Sequence, residues 1–243
     1  MSLWTSAVDR LAAARTRRAV ARRLAELDVA PRQTLRDEIE EWAAEHRDRL
    51  ALVAADGGER LSYDDLAGRA ARWTRWAILH GIDRGETVAL VMANRPERVA
   101  AWIGLAASGA VAALLDPALA ATDLARTITL AAPRHVVVDT ALLSHFEAAA
   151  PHLMVMAAVW IDGPHGMAYQ RIDEALAALS PERLRPADRR PIAASDDALW
   201  FCDGDTPIRL DHRRTIRALH AIAAACSATR DDRLLLTDLD LAD

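Results

Sequence analysis

The stretch best placed to do chemistry reads Asp203-Gly204-Asp205-Thr206-Pro207-Ile208-Arg209 and runs on into Leu210-Asp211-His212-Arg213-Arg214. It follows an apolar run, Ala198–Cys202, and precedes a helical pattern over Arg213–Cys226. A loop between a strand and a helix N-terminus offers backbone N–H groups to an anion, so the position suits phosphate. The residues that would meet it are Gly204 for backbone access, Thr206 as a hydroxyl, Arg209 as a cation and His212 as an imidazole. The composition opposes that use. Asp203 and Asp205 bring like charge to a polyphosphate, and only one glycine is present. On composition alone, the segment reads as a strand-to-helix turn.

Other constellations carry less. His212 and His220 stand eight apart, and no H-E-x-x-H or C-x-x-C occurs, so no metal site is expected. Gly104 and Gly109 do not complete a dinucleotide fingerprint, and no G-x-S-x-G elbow is present. Cys202 and Cys226 read as buried thiols, and Asp238, Asp240 and Asp243 as a solvated acidic tail. No residue is assigned a catalytic role. All 30 basic residues are arginine. Chemistry that needs an ε-amine, such as a Schiff base or a P-loop lysine, is thereby excluded.

A net charge of −5 argues against nucleic acid as a partner. Two cysteines exclude a disulfide scaffold and suit a reducing, cytoplasmic setting. At 52% hydrophobic and 27% charged, the 243 residues suit a globular domain with a real core. The longest uncharged run, Val99 to Leu115, reads as a buried helix followed by a buried strand rather than a membrane span.

The elements that must position these residues follow from pattern. Residues 1–30 read as a basic helical leader, with six Arg against one Asp up to Arg23 and an apolar face of Leu3, Trp4, Val8 and Leu11. Such a helix suits an anionic membrane surface, which would make the chain peripheral to a membrane. Residues 31–243 read as one α/β domain. Thr34 and Ser62 open helices, and Asp56-Gly57-Gly58 joins two short strands. Apolar strands are predicted at Thr87–Met92, Ala110–Leu115, His135–Asp139, Met154–Ile161, Ala198–Cys202 and Arg233–Leu236. Helices are predicted at Asn94–Ser108, Thr122–Ala131, Ala141–Ala149 and Ile172–Leu179, with a loop over residues 180–197. Apolar strands alternating with helices imply a parallel sheet covered by helices on both faces.

The series Leu61-Ser-Tyr-Asp-Asp-Leu66, Trp76-Ala-Ile-Leu-His-Gly81, Asn94-Arg-Pro-Glu97, Ala101-Trp-Ile-Gly-Leu-Ala106 and Gly109-Ala-Val-Ala-Ala-Leu-Leu115 resembles the amino-terminal part of the acyl-adenylate-forming, AMP-binding enzymes. Within them it is most similar to bacterial fatty-acyl-CoA synthetases of the fatty-acid-transport-protein, or very-long-chain, group. The resemblance implies the first part of that family's large domain. Members are more than twice this long and use ATP, magnesium and CoA to make acyl-AMP and then the thioester. Their phosphate loop resembles T-S-G-T-T-G-x-P-K. Here Cys202 takes the first Thr, Asp203 the Ser, Gly204 the Gly and Asp205-Thr206 the Thr pair. The chain then runs about four residues short before His212, and Arg209 is the only cation near the Lys position.

The expectation is therefore a truncated, degenerate fatty acid–CoA ligase homologue, inactive alone, that needs no cofactor and acts as a binding or regulatory module. The alternative is the amino-terminal fragment of an active ligase completed by a missing half. Expected partners are a second copy in a homodimer, a full-length acyl-CoA synthetase relative, a fatty acyl ligand, or an anionic membrane met through the leader.

Overall fold

A computed structural model describes residues 33–54, 56–166, 168–203, 206–225 and 234–235. The basic leader, Gly204, Asp205, Cys226 and the acidic tail lie outside the described residues. The first helix, α1 (Leu35–Glu45), opens on Thr34, whose hydroxyl accepts from the Asp37 N–H while the Asp37 carboxylate accepts from the Thr34 N–H. Strands β1 (Leu50–Val53) and β2 (Arg60–Ser62) pair antiparallel around the Asp56-Gly57-Gly58 turn. Ser62 and Asp65 then make the same reciprocal cap on α2 (Tyr63–Leu79). Each box satisfies two N–H groups that a helix start leaves open.

Alternating units follow: β3 (Thr87–Val91), α3 (Pro96–Ser108), β4 (Val111–Leu114), α4 (Ala121–Ala131), β5 (His135–Asp139), α5 (Leu143–Ala149), β6 (Ala158–Asp162), β7 (Gln170–Arg171) and α6 (Ile172–Ala177). Then come β8 (Asp197–Asp203), β9 (Thr206–Asp211), α7 (His212–Ala225) and β10 (Leu234–Leu235). Seven strands form one sheet in the order β7-β6-β5-β3-β4-β8-β9, parallel except for β9. A second sheet, β10-β1-β2, stands apart.

The strand period of two splits the core into two layers. Val88 and Leu90 of β3 face Trp73 and Trp76 of α2 and Ile103 and Leu105 of α3. Ala89 and Val91 face the opposite way, onto Leu124 and Ile128 of α4 and Phe146 of α5. Both faces are covered, so β3 and β5 are buried along their whole length. Helices α2 and α3 approach closely at Gly104, where an added Cβ would lie 2.4 Å from the Ala70 carbonyl oxygen and from Trp73 Cβ. Gly109, at φ +90°, ends α3 in the left-handed region that glycine adopts without penalty. Val99 to Leu115 is buried helix then strand, and no helix among the described residues is long and apolar enough to cross a membrane.

Three expectations are corrected. The strand predicted from Met154 begins at Ala158, because Met154 and Met156 are exposed and have no core to face. The helix predicted at Ala141–Ala149 is a tight turn, Thr140–Leu142, followed by α5. The third correction bears on function. No strand-to-helix turn follows Cys202; residues 206–211 form β9, which pairs antiparallel to β8 and closes that side of the sheet. Thr206, Ile208 and Leu210 suit a strand, and β8 had a free edge to fill.

Candidate functional site

Strand β8 runs parallel to β4, so its carboxyl end lies with those of β3, β4, β5 and β6. Ligands of open parallel sheets sit along that rim. Three described groups and one turn were expected to gather there. Asp203 pairs directly with Thr206, which leaves only Gly204 and Asp205 to connect the strands. Thr206 is exposed at the start of β9. Arg209 lies three residues further along, opposite Trp200, and its Nη1 bonds Asp197 Oδ2 at 3.2 Å. Asp197 is the first residue of β8, so the cation reaches toward the amino ends of the strands, away from the rim. There it helps line a shallow cleft of about 360 Å³ with Gly85, Thr87 and Arg134.

His212 sits further still, as the first residue of α7, and its side chain is fully buried. Its Nδ1 accepts from the Leu35 N–H at 3.2 Å, which assigns the proton of the neutral ring to Nε2. That Nε2 is buried and has no hydrogen-bond partner among the described residues. Burial above all pushes the imidazole down to about 4, against an upward pull from Asp196. At roughly 3.3 Å per strand residue, Thr206, Arg209 and His212 spread over about 20 Å. They do not converge on one ligand.

The residues present do not fit a nucleotide triphosphate at this hairpin. A two-residue connection gives no loop to wrap phosphates. The connection and its flank carry Asp203 and Asp205. The only cation on either strand is engaged at the far end. Among the described residues, the hairpin presents no unpaired cation to a phosphate. Among the described residues, no three His, Cys, Asp or Glu side chains gather to hold a metal.

The rim itself carries a constellation that sequence reasoning did not single out. Arg95, the residue that precedes α3, places Nη2 2.5 Å from Asp139 Oδ1 and in contact with Asp162 Oδ2. Asp139 also accepts the Ala93 N–H at 2.7 Å. Burial lowers the Arg95 pKa, but hydrogen bonds and charge from Asp139 and Asp162 outweigh it and hold the group firmly protonated. Burial raises the Asp162 carboxyl, and Arg95 only partly offsets this. The signal was present: each acid directly ends an apolar strand, in His135-Val-Val-Val-Asp139 and Ala158-Val-Trp-Ile-Asp162. With two carboxylates on one guanidinium, the cluster is net negative and fastens the β3–α3 connection to β5 and β6. It offers phosphate no attraction.

Glu97 of the Asn94-Arg-Pro-Glu97 motif has a packing role. Its carboxylate accepts from Trp73 Nε1 at 2.7 Å and from Arg69 Nη1 at 2.9 Å, tying α3 to α2. The motif therefore marks a helix–helix joint.

Comparison with known proteins agrees with this architecture. Long-chain fatty acid transport protein 6 of Mus musculus is 31% identical over 163 residues, which cover 65% of this chain and 26% of that protein. A 3-hydroxybenzoate–CoA ligase of Aromatoleum sp. (strain CIB) is 32% identical over 162 residues, 65% of this chain and 29% of the ligase. The chain thus spans between a quarter and a third of the length of these relatives. The crystal structure of a long-chain-fatty-acid-CoA ligase from Archaeoglobus fulgidus superposes with a TM-score of 0.70 at 18% identity, over 83% of this chain and 41% of that one. The α/β layers are those of the large domain of acyl-CoA ligases, and residues 39–202 match the family model described as AMP-binding enzyme. That match ends at Cys202, where the hairpin begins to depart from the phosphate-loop pattern, and by it the chain belongs to the AMP-binding enzyme family.

Proposed function

We propose that this chain is an acyl-CoA-ligase homologue whose β8–β9 hairpin has lost nucleotide-phosphate binding, and that it works as a binding or regulatory module rather than adenylating on its own. One observation carries the reading: Asp203 pairs with Thr206 across a two-residue connection while Arg209 is held by Asp197 at the other end of the hairpin. A single carboxylate near 4 Å from a phosphate costs about 4 kcal/mol at an effective dielectric of 20. Fatty acid, ATP and CoA incubated with the purified chain should yield no acyl-CoA and no pyrophosphate. Turnover that disappears in Arg209→Ala would defeat the reading.

A second reading is supported by the 32% identity to the 3-hydroxybenzoate–CoA ligase. In it, the chain supplies the amino-terminal part of a fatty or aryl acid–CoA ligase and another polypeptide supplies the rest. Pyrophosphate exchange that appears only on adding a full-length relative, and that requires this chain, would select it. The partner in the first reading is a full-length relative or a second copy. The Arg-rich leader adds attachment to anionic membrane, at roughly 1 kcal/mol per Arg near the surface. Co-sedimentation with anionic liposomes that persists unchanged after deletion of residues 2–23 would remove that part.

A further inference from the structure

Helix α7 leaves part of an apolar face open. Thr215 and Ile216 in its first half are buried, and Ile216 packs with Leu35 of α1, Ala106 of α3 and Ala198 of β8. Leu219 and Ile222 continue the side of Thr215 at i+4 and i+7, yet they are 38% and 57% exposed. At about 100° per residue, Arg213, Arg214 and Arg217 fall on other sides of the helix.

The chain enters the described structure beside this face. The Leu35 N–H donates to His212 Nδ1 at 3.2 Å, and Glu38 Oε1 lies 3.0 Å from His220 Nε2. Leu219 and Ile222 lie about 5 and 9 Å further along α7 than Ile216, at 1.5 Å per residue. Residues 1–32 are tethered at this point, so they meet the open face at high effective concentration. On α1, Glu41 and Glu45 share the line of Glu38 at i+3 and i+7, and both are exposed. Glu45 pairs with His46 at 3.8 Å, and Glu41 has no ion pair among the described residues.

The second half of the leader has the matching pattern. Val20, Leu24 and Leu27 recur at i, i+4 and i+7, the spacing of one apolar helix face, and Pro31 ends the pattern before α1. Across residues 13–28 five arginines stand against Glu26 and Asp28, and Arg17 and Arg23 flank the apolar stripe. An apolar stripe between arginines complements an apolar face beside carboxylates. We propose that residues 13–28 dock as a helix on Leu219 and Ile222 of α7, with the leader's positive charge toward Glu41 and Glu45 of α1. Leu3, Trp4, Val8 and Leu11 take no part in the contact. The docking stands or falls independently of the function and the membrane attachment proposed above.

The test is hydrogen exchange of the full chain, read by mass spectrometry on peptides covering residues 13–28 and 216–225. Both should be protected, to the same degree on dilution. Leu24→Asp should speed exchange of 216–225 about tenfold, the loss of one buried leucine. Ile222→Asp, at an exposed position, should speed exchange of 13–28 by a similar factor. Glu41→Arg combined with Glu45→Arg should speed both, by less, and Leu3→Asp should change neither. Rapid exchange of 13–28 in the unaltered chain overturns the proposal, as does protection of 216–225 that Leu24→Asp leaves intact. Protection that falls on dilution also overturns it, because a second copy would then cover the face.

Discussion

Arg209 Nη1 lies 3.2 Å from Asp197 Oδ2, a contact that ties the hairpin's only cation to the first residue of the preceding strand. The pair is half-exposed, with side chains 48% and 37% accessible. Such a pair contributes at most about 1 kcal/mol. Arg209→Ala should therefore lower the unfolding free energy read from urea titration by less than that amount. A loss above about 2 kcal/mol would mean the contact is a structural clamp rather than a surface pairing.

His212 should make stability depend on pH in one direction. The buried ring stays neutral in the fold down to about 4, whereas the unfolded chain takes up its proton near the ordinary histidine value of 6.5. The unfolded state binds more protons between those values, so stability is fully present above about 6.5 and lost as pH falls toward about 4. The loss attributable to this ring is roughly 3 kcal/mol. His135 acts in the same direction, lowered chiefly by burial and then by His80 and Arg134. His212→Asn keeps an acceptor for the Leu35 N–H and should flatten the profile; an unchanged acid limb in urea titrations at pH 7 and pH 5 would contradict this. His212→Ala should cost about 2–4 kcal/mol, through the cavity and the unmatched Leu35 N–H.

Gly104→Ala should destabilise by about 3 kcal/mol, because the new methyl meets the Ala70 carbonyl and Trp73 Cβ at 2.4 Å and neither is a flexible chain end. Gly68→Ala is the contrast. Its Cβ would meet Pro181 Cβ at 3.3 Å, and helix propensity gains up to about 1 kcal/mol, so the net change should be near zero. Thermal melts of the two variants compare them directly.

Arg95→Met should cost about 3 kcal/mol, since it leaves Asp139 and Asp162, at 7% and 12% side-chain exposure, facing each other without their cation. Adding Asp139→Asn and Asp162→Asn should restore part of that loss. Additive losses in the triple variant would show that the three side chains do not act as a unit.

Much of the fold was legible because its determinants are local. The helix starts at Thr34 and Ser62 and the apolar runs of β3, β4 and β5 announce element ends and types without reference to distant residues. Strand β9 was not legible. Thr206 to Asp211 is short, holds Pro207 and Arg209, and becomes a strand only because β8 offers an edge. The site suffered for the same reason. Thr206, Arg209 and His212 are close in sequence, but an extended chain spreads neighbours apart, whereas a loop would have gathered them. Conversely Arg95, Asp139 and Asp162, separated by 44 and 67 residues, meet because parallel strands bring their carboxyl ends together. His212 also meets Leu35 from 177 residues away, a contact that no spacing pattern encodes.

The most direct measurement is isothermal titration of the full chain with magnesium–ATP. With a two-residue connection, flanking carboxylates and Arg209 held by Asp197, no saturable heat should appear up to about 1 mM nucleotide, a limit of roughly 4 kcal/mol of binding. A dissociation constant well below that concentration, lost in Arg209→Ala, would contradict it and show that the hairpin still holds phosphate.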